Sequence, residues 1–170
     1  MTAKKNLKML SVLTLVAACG LFFLFASRSE TQVSSNDSEH NDKRYVMSVN
    51  HLRDEITQLN QNSVGKQIFK NTRLDCASLN EEDKVAVYEL TLLDVSLSDI
   101  NLVSRSRKAE LKKVVKQNLI QKINAEGQSV PLFEHGWSME YIQKTNDGYV
   151  ISDITIRAGD LSLTERHDVI

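Results

Sequence analysis

Val85-Ala86-Val87-Tyr88-Glu89-Leu90-Thr91-Leu92-Leu93-Asp94-Val95 is a run of β-branched, aromatic and aliphatic residues. Such residues suit a pleated, half-buried surface, so the run reads as a strand. From Leu90 to Leu93 the side chains are apolar on both faces, which marks a strand in the middle of a sheet with helices over one side. Immediately upstream, Asn80-Glu81-Glu82-Asp83 is a turn, and Thr72-Arg73-Leu74-Asp75-Cys76-Ala77-Ser78-Leu79 precedes it with Leu74 and Cys76 on one side. The two runs form a hairpin. A second hairpin lies downstream: Trp137, Met139 and Tyr141 alternate with Ser138, Glu140 and Ile142, and Asn146-Asp147-Gly148 turns the chain into Tyr149, Val150, Ile151, Ile154 and Ile156.

Helical spacing frames both hairpins. Tyr45, Val49, Leu52, Ile56 and Leu59 recur at intervals of four and three, with polar residues between them, until Asn60, Asn62 and Gly65 end the helix. Two heptads are too short for a coiled coil, so this stripe is expected to pack on the sheet. Leu111, Val114, Val115, Asn118 and Leu119 continue to Ile123 as a second helix, capped by Ser104 or Ser106 and ended by Gly127, with Pro131 in the following loop. The expected fold is α+β, an α-β-β-α-β-β domain with a four-stranded antiparallel sheet and two helices on one face. Every strand pairing in that scheme is local, and no long crossover is needed.

The domain is expected over residues 45–160, with a polar tail at 161–170. Residues 27–44 hold one large apolar residue, Val33, and read as a disordered spacer with an r.m.s. reach of about 25 Å. Before it, residues 9–26 carry no charge and would rise about 27 Å as a helix, close to a hydrocarbon core. Lys4, Lys5 and Lys8 precede this run and Arg28 follows it, which keeps the N-terminus cytoplasmic and places the domain in the periplasm. Residues 1–26 are thus a membrane anchor or signal segment, read first as an uncleaved single inner-membrane span. Val16-Ala17-Ala18-Cys19 also fits a lipobox with lipidation at Cys19, and cleavage near Ala26-Ser27 would give a secreted protein.

Asn71-Thr72-Arg73-Leu74-Asp75, Tyr88-Glu89-Leu90-Thr91-Leu92, Gly136-Trp137 through Glu140-Tyr141, Asp147-Gly148 and Ile154-Thr155-Ile156 form a series over about residues 50–160. It resembles a loose group of small bacterial envelope proteins: a helix, a "TRLD" strand, a tyrosine-rich strand, a helix and a glycine-led final hairpin. The resemblance implies an anchored envelope protein and no catalytic residues. Many members of that group carry one cysteine between the second helix and the final hairpin and another at the C-terminus. This chain has neither.

Little in the sequence carries chemistry. Beyond the N-terminal run Cys76 is the one cysteine, read as an inert, half-buried thiol. His40, His51, His135 and His167 show no metal-ligand spacing. No serine sits in a Gly-x-Ser-x-Gly setting, and six glycines form no phosphate loop. Asp75 and Glu89 could meet across the first hairpin, yet aromatic residues make up only 6% of the chain, too few for a sugar-binding cleft. No cofactor, metal or enzymatic activity is expected. A net charge of −1 removes whole-protein capture of nucleic acid. One local charge feature remains: Arg105, Arg107, Lys108, Lys112, Lys113, Lys116 and Lys122 crowd the second helix. Arg105, Lys112 and Lys116 fall within about 40° of one another, with Lys113 beside them. Arg105, Lys108, Lys112, Lys113 and Lys116 are the candidate docking residues for an acidic partner or anionic head groups, or otherwise a solvated face.

These readings converge on a non-enzymatic, membrane-tethered envelope accessory protein that binds a periplasmic protein, in secretion or pilus assembly or as a toxin-immunity protein. The alternative is a small-ligand sensor or carrier using the concave sheet face, with Trp137, Met139 and Tyr141 lining the pocket.

Overall fold

The structure is a computed structural model that describes residues 37–127 and 129–161. The anchor, the lipidation candidate Cys19, most of the spacer and the polar tail beyond Leu161 lie outside the described residues. Among those described, no helix is long and apolar enough to cross a membrane.

In chain order the elements are α1 (Asp37–Asn62), β1 (Gln67–Phe69), β2 (Thr72–Asn80), β3 (Val85–Leu92), α2 (Leu97–Asn101), α3 (Arg105–Glu126), α4 (Val130–Glu134), β4 (Ser138–Thr145) and β5 (Val150–Ile156), followed by a 3₁₀ turn at Ala158–Asp160. The fold is α+β, and both hairpins form where the sequence places them. The sheet differs from the expected four antiparallel strands in two ways. It has five strands in the order β1-β2-β3-β4-β5, because the short β1 folds back on β2. It is also mixed: β3 and β4 run parallel, with Val85 opposite Ser138 and Leu92 opposite Thr145. The two hairpins share one sheet by placing their inner strands side by side. That arrangement forces residues 93–137 to cross over the sheet, and helices α2, α3 and α4 fill the crossing.

Among the described residues the buried apolar packing lies on one face. Leu52 and Ile56 of α1, Val115, Leu119 and Ile123 of α3, and Leu132 and Phe133 of α4 meet Ala77, Ala86, Tyr88, Met139, Tyr141, Ile154 and Ile156 of the sheet. The α1 stripe is the one read from the sequence, with Tyr45, Val49 and Leu59 packed at its margins. The helix itself starts at Asp37, inside the stretch expected to be spacer. A polar run has too little apolar surface to fold alone, but it can extend a helix whose later turns are already docked. A smaller cluster at the β1 end joins Leu74 and Leu90 to Leu59, Val64, Ile68 and Phe69.

Local chemistry sets the element ends. Ser104 caps α3 by accepting from the Arg107 amide, and Gly127 closes it at φ 67°, a left-handed conformation that costs glycine little. Pro131 sits in the first turn of α4 and not in an irregular loop; that position has no helical partner for an amide in any case. A bulge between Leu74 and Cys76 alters the first hairpin. Leu74 and Cys76 do not share a face: Leu74 lies opposite Leu90 under the helices, while Cys76 lies opposite Glu89 on the other side.

The register of α3 also departs from the simple stripe. Val115, Leu119 and Ile123 are its buried residues, whereas Val114 is 36% exposed. Leu119→Ala is therefore expected to cost about 2–5 kcal/mol. Val114→Ala is expected to stay within about 0.5 kcal/mol. Urea denaturation of the two variants checks this; equal losses would mean α3 is seated by a different face.

Candidate functional site

Two groups of side chains stand apart from ordinary packing. One is buried beneath the helices and the other lies on the sheet face that the helices leave open.

The buried group joins α1, α3 and the two central strands. Tyr88 and Tyr141, opposite each other in the parallel register, stack with ring centroids 5.1 Å apart at 12°. Glu55 reaches this pair from α1, and Lys122 and Glu126 of α3 lie near Glu55. Lys122 Nζ lies 3.6 Å from Glu126. Glu55 Oε1 is buried without a hydrogen-bond partner among the described residues. Burial pushes the Glu55 carboxyl up to about 7, the Glu126 charge adds to the rise, and Lys122 opposes it. The Tyr88 phenol is held well above its ordinary value by burial and then by Glu55 and Tyr141. Burial is thus the first cause of the carboxyl rise, with one ammonium, that of Lys122, set against two carboxylates.

The outer end of α1 is tied down separately. Tyr45 stacks on His135 at 4.0 Å and 11°, Trp137 Nε1 donates to Tyr45 Oη at 3.2 Å, and His135 Nδ1 lies 2.8 Å from Pro131 O. Trp137, Met139 and Tyr141, the residues expected to line a ligand pocket, are all buried in the core. The sheet face they occupy is covered by helices, so they cannot line an open concave site.

On the opposite, outer face the alternation of β3 and β4 presents Val85, Val87 and Glu89, and then a buried Thr91, beside Glu140, Ile142 and Lys144. Val85, Val87 and Ile142 are half-buried and stand outside the core clusters. Val150, opposite Lys144 on the edge strand, adds an apolar side chain that is 59% exposed. The charges around this strip fall into two kinds. Toward β2 they are internally matched: Arg73 Nε pairs with Asp75 at 2.6 Å, Thr91 Oγ1 donates to the other Asp75 oxygen at 2.5 Å, and Lys144 pairs with Glu89. Asp75 and Glu89 therefore do not meet as a carboxylate pair, since each is engaged by its own cation. Toward β5, Glu140 and Asp153 are side by side. Partial burial raises the Glu140 carboxyl, and the charge of Asp153 and a hydrogen bond with it raise it further. Neither carboxylate is ion-paired to a cation among the described residues. A face like this, with apolar and charged side chains interleaved on its two central strands, can dock a protein surface.

The basic residues of α3 are only partly brought together. Arg105, Lys112 and Lys113 are exposed, and Lys108 is half-buried. Lys116 turns toward the 3₁₀ turn and pairs with Asp160 at 2.8 Å, so it belongs to the packing of α3 more than to a free stripe. Charge reversal at Lys116 should consequently disturb stability, contrary to the simple reading of a solvent-facing row. The sequence reading missed both Glu55 and the outer face. The intervals of α1 had marked Glu55 as polar flank, and only the β3–β4 register reveals which residues of those strands are left uncovered.

No protein-family model matches this chain, and no curated protein matches it. Two solved structures are similar to part of it. A candidate secreted protein from Pseudomonas aeruginosa is 9% identical, with a TM-score of 0.47 over 69% of this chain and 95% of its own. The type II secretion system pilotin AspS from Vibrio cholerae is 10% identical, with a TM-score of 0.41 over 72% of this chain and 96% of its own. Both likenesses are too distant to transfer a role.

Proposed function

We propose that this chain is a membrane-tethered accessory protein of the bacterial envelope that works by binding a periplasmic protein, not by catalysis. The supporting observation is the outer face of the mixed sheet. Parallel strand pairs are usually covered on both sides. Among the described residues β3 and β4 are covered on one side only, and the other carries half-buried Val85, Val87 and Ile142 interleaved with Glu89 and Glu140. Apolar side chains left outside the core beside charged ones are a feature of protein-interaction surfaces. The uncharged segment at residues 9–26 supplies the tether, and the resemblance to small envelope proteins agrees with that location. Assembly of a secretion or pilus apparatus, or neutralisation of a toxin, would suit such a module.

Co-purification after crosslinking tests the reading. Wild-type chain should retain a partner that Val87→Asp with Ile142→Asp loses while the thermal transition is kept. Retention by the double variant would move the docking surface elsewhere. Loss on Lys112→Glu with Lys113→Glu alone would move it to the basic end of α3.

A further inference from the structure

Resting on the docking-face reading above, we infer that the partner is a different protein whose bound segment presents a cationic side chain, arginine or lysine, to Glu140 and Asp153, with aliphatic side chains laid over Val85, Val87 and Ile142.

The inference comes from charge matching on one face. The strand positions of this face carry two cations, Arg73 and Lys144, and four carboxylates, Asp75, Glu89, Glu140 and Asp153. Both cations are taken by their own partners, Asp75 and Glu89. The excess of negative charge is therefore localised at the β4–β5 side, beside the apolar strip and not scattered around it. Val87 is opposite Glu140 and Glu89 is opposite Ile142 in the parallel register, so the acid pair and the strip are immediate neighbours. Covering the strip with an uncharged surface would strip water from two carboxylates and leave them without a counter-charge, a costly arrangement. Covering it with a surface that supplies one cation converts the same desolvation into a charge-assisted contact. Arginine is enriched at interface centres for this reason, with a guanidinium able to serve both carboxylates. The edge strand β5 leaves that side open to an approaching chain, with Asp153 and Val150 both exposed. A second copy of this chain also carries exposed cations, Lys112 and Lys113 among them, and adducts joining two copies would reveal it.

The test uses the full-length chain in its native membrane, with a photoreactive phenylalanine analogue in place of Ile142 and, as a control, in place of Lys112. Irradiation should give one discrete adduct at position 142 and none at 112, and the crosslinked peptide from the partner should hold an arginine or lysine within a few residues of the attachment point. Adding Glu140→Gln and Asp153→Asn should reduce adduct yield about tenfold, and raised salt should reduce the unsubstituted yield in the same direction. An undiminished adduct in the neutralised chain would overturn the cation inference while leaving the docking face intact. An adduct at 112 only, or at neither position, would overturn both. Adducts joining two copies of this chain, or position 142 to residues 1–36 of the same chain, would overturn the claim that the occupant is a different protein. Recovery of yield in the neutralised chain when the partner's basic residue is changed to a neutral one would establish the pairing directly.

Discussion

At pH 8, Glu55→Gln is expected to make the domain about 2–3 kcal/mol more stable than wild type, and at pH 4 to leave it unchanged. The sign follows from the direction of the shift. The Glu55 carboxyl is raised from an ordinary 4.5 to about 7 in the folded chain. The folded state therefore holds the proton more tightly than the unfolded state. Below pH 4.5 both states are protonated and the group costs nothing. Between about 4.5 and 7 the unfolded chain ionises freely while the folded chain resists, so stability falls as pH rises. Above 7 the charge is formed in place, against burial and against Glu126, and the full penalty is felt. A shift of one unit corresponds to about 1.4 kcal/mol, which sets the upper limit; residual solvent contact reduces it. Glutamine keeps the shape and cannot ionise. Urea denaturation of both proteins across pH 4 to 8.5 gives the difference curve. A difference that does not change with pH would show that Glu55 is solvated and that the α1–α3 polar group has no titrating member.

Trp137→Ala is expected to cost about 3–5 kcal/mol, enough to unfold a domain of ordinary stability at modest denaturant. Trp137 is 4% exposed, sits between α4 and β4, and belongs to the main core. Its indole nitrogen also holds Tyr45, whose ring stacks on His135. Truncation thus opens a cavity and releases the outer end of α1 together. Trp137→Phe should keep most of the packing and lose the hydrogen bond, for about 1–2 kcal/mol. The two variants, compared by denaturation midpoint and by hydrogen exchange across residues 41–50, separate packing from tethering. A loss under about 1 kcal/mol for the alanine variant would mean that the indole is not part of the core.

Much of this architecture was legible because it is local. The α1 stripe from Tyr45 to Leu59, the turns at Asn80–Asp83 and Asn146–Gly148, the Ser104 cap and the Gly127 stop each depend on residues close in sequence, and each is where the pattern placed it. What escaped depends on pairing across distance. Nothing in Val85–Val95 or Trp137–Ile142 states that the two strands lie parallel and adjacent, because period-two alternation fits either direction. The bulge at Asp75 reversed the side of Cys76, since one extra residue flips every later side chain. Val114 counted as apolar stripe by spacing alone, although the fully buried residues of the helix are Val115, Leu119 and Ile123. The docking face was invisible for the same reason: which alternate residues remain uncovered is fixed by where the crossing helices land.

The central parallel pair also sets the order in which the chain can assemble. Each hairpin closes over a few residues and can form within microseconds, whereas β3 and β4 meet only after residues 93–137 have been drawn into a loop. That closure entropy must be met before any β3–β4 contact compensates for it, so the joining of the halves is the expected rate-limiting event. Helix α3, wherever it forms early within the loop, shortens the span that diffusion must close. A nick at the exposed bend around Leu102, which is 80% exposed, would leave two fragments, each with one hairpin, whose reunion becomes bimolecular and concentration-dependent. The chain is in this sense a tethered heterodimer of two hairpins, with the crossover helices as its intramolecular linker.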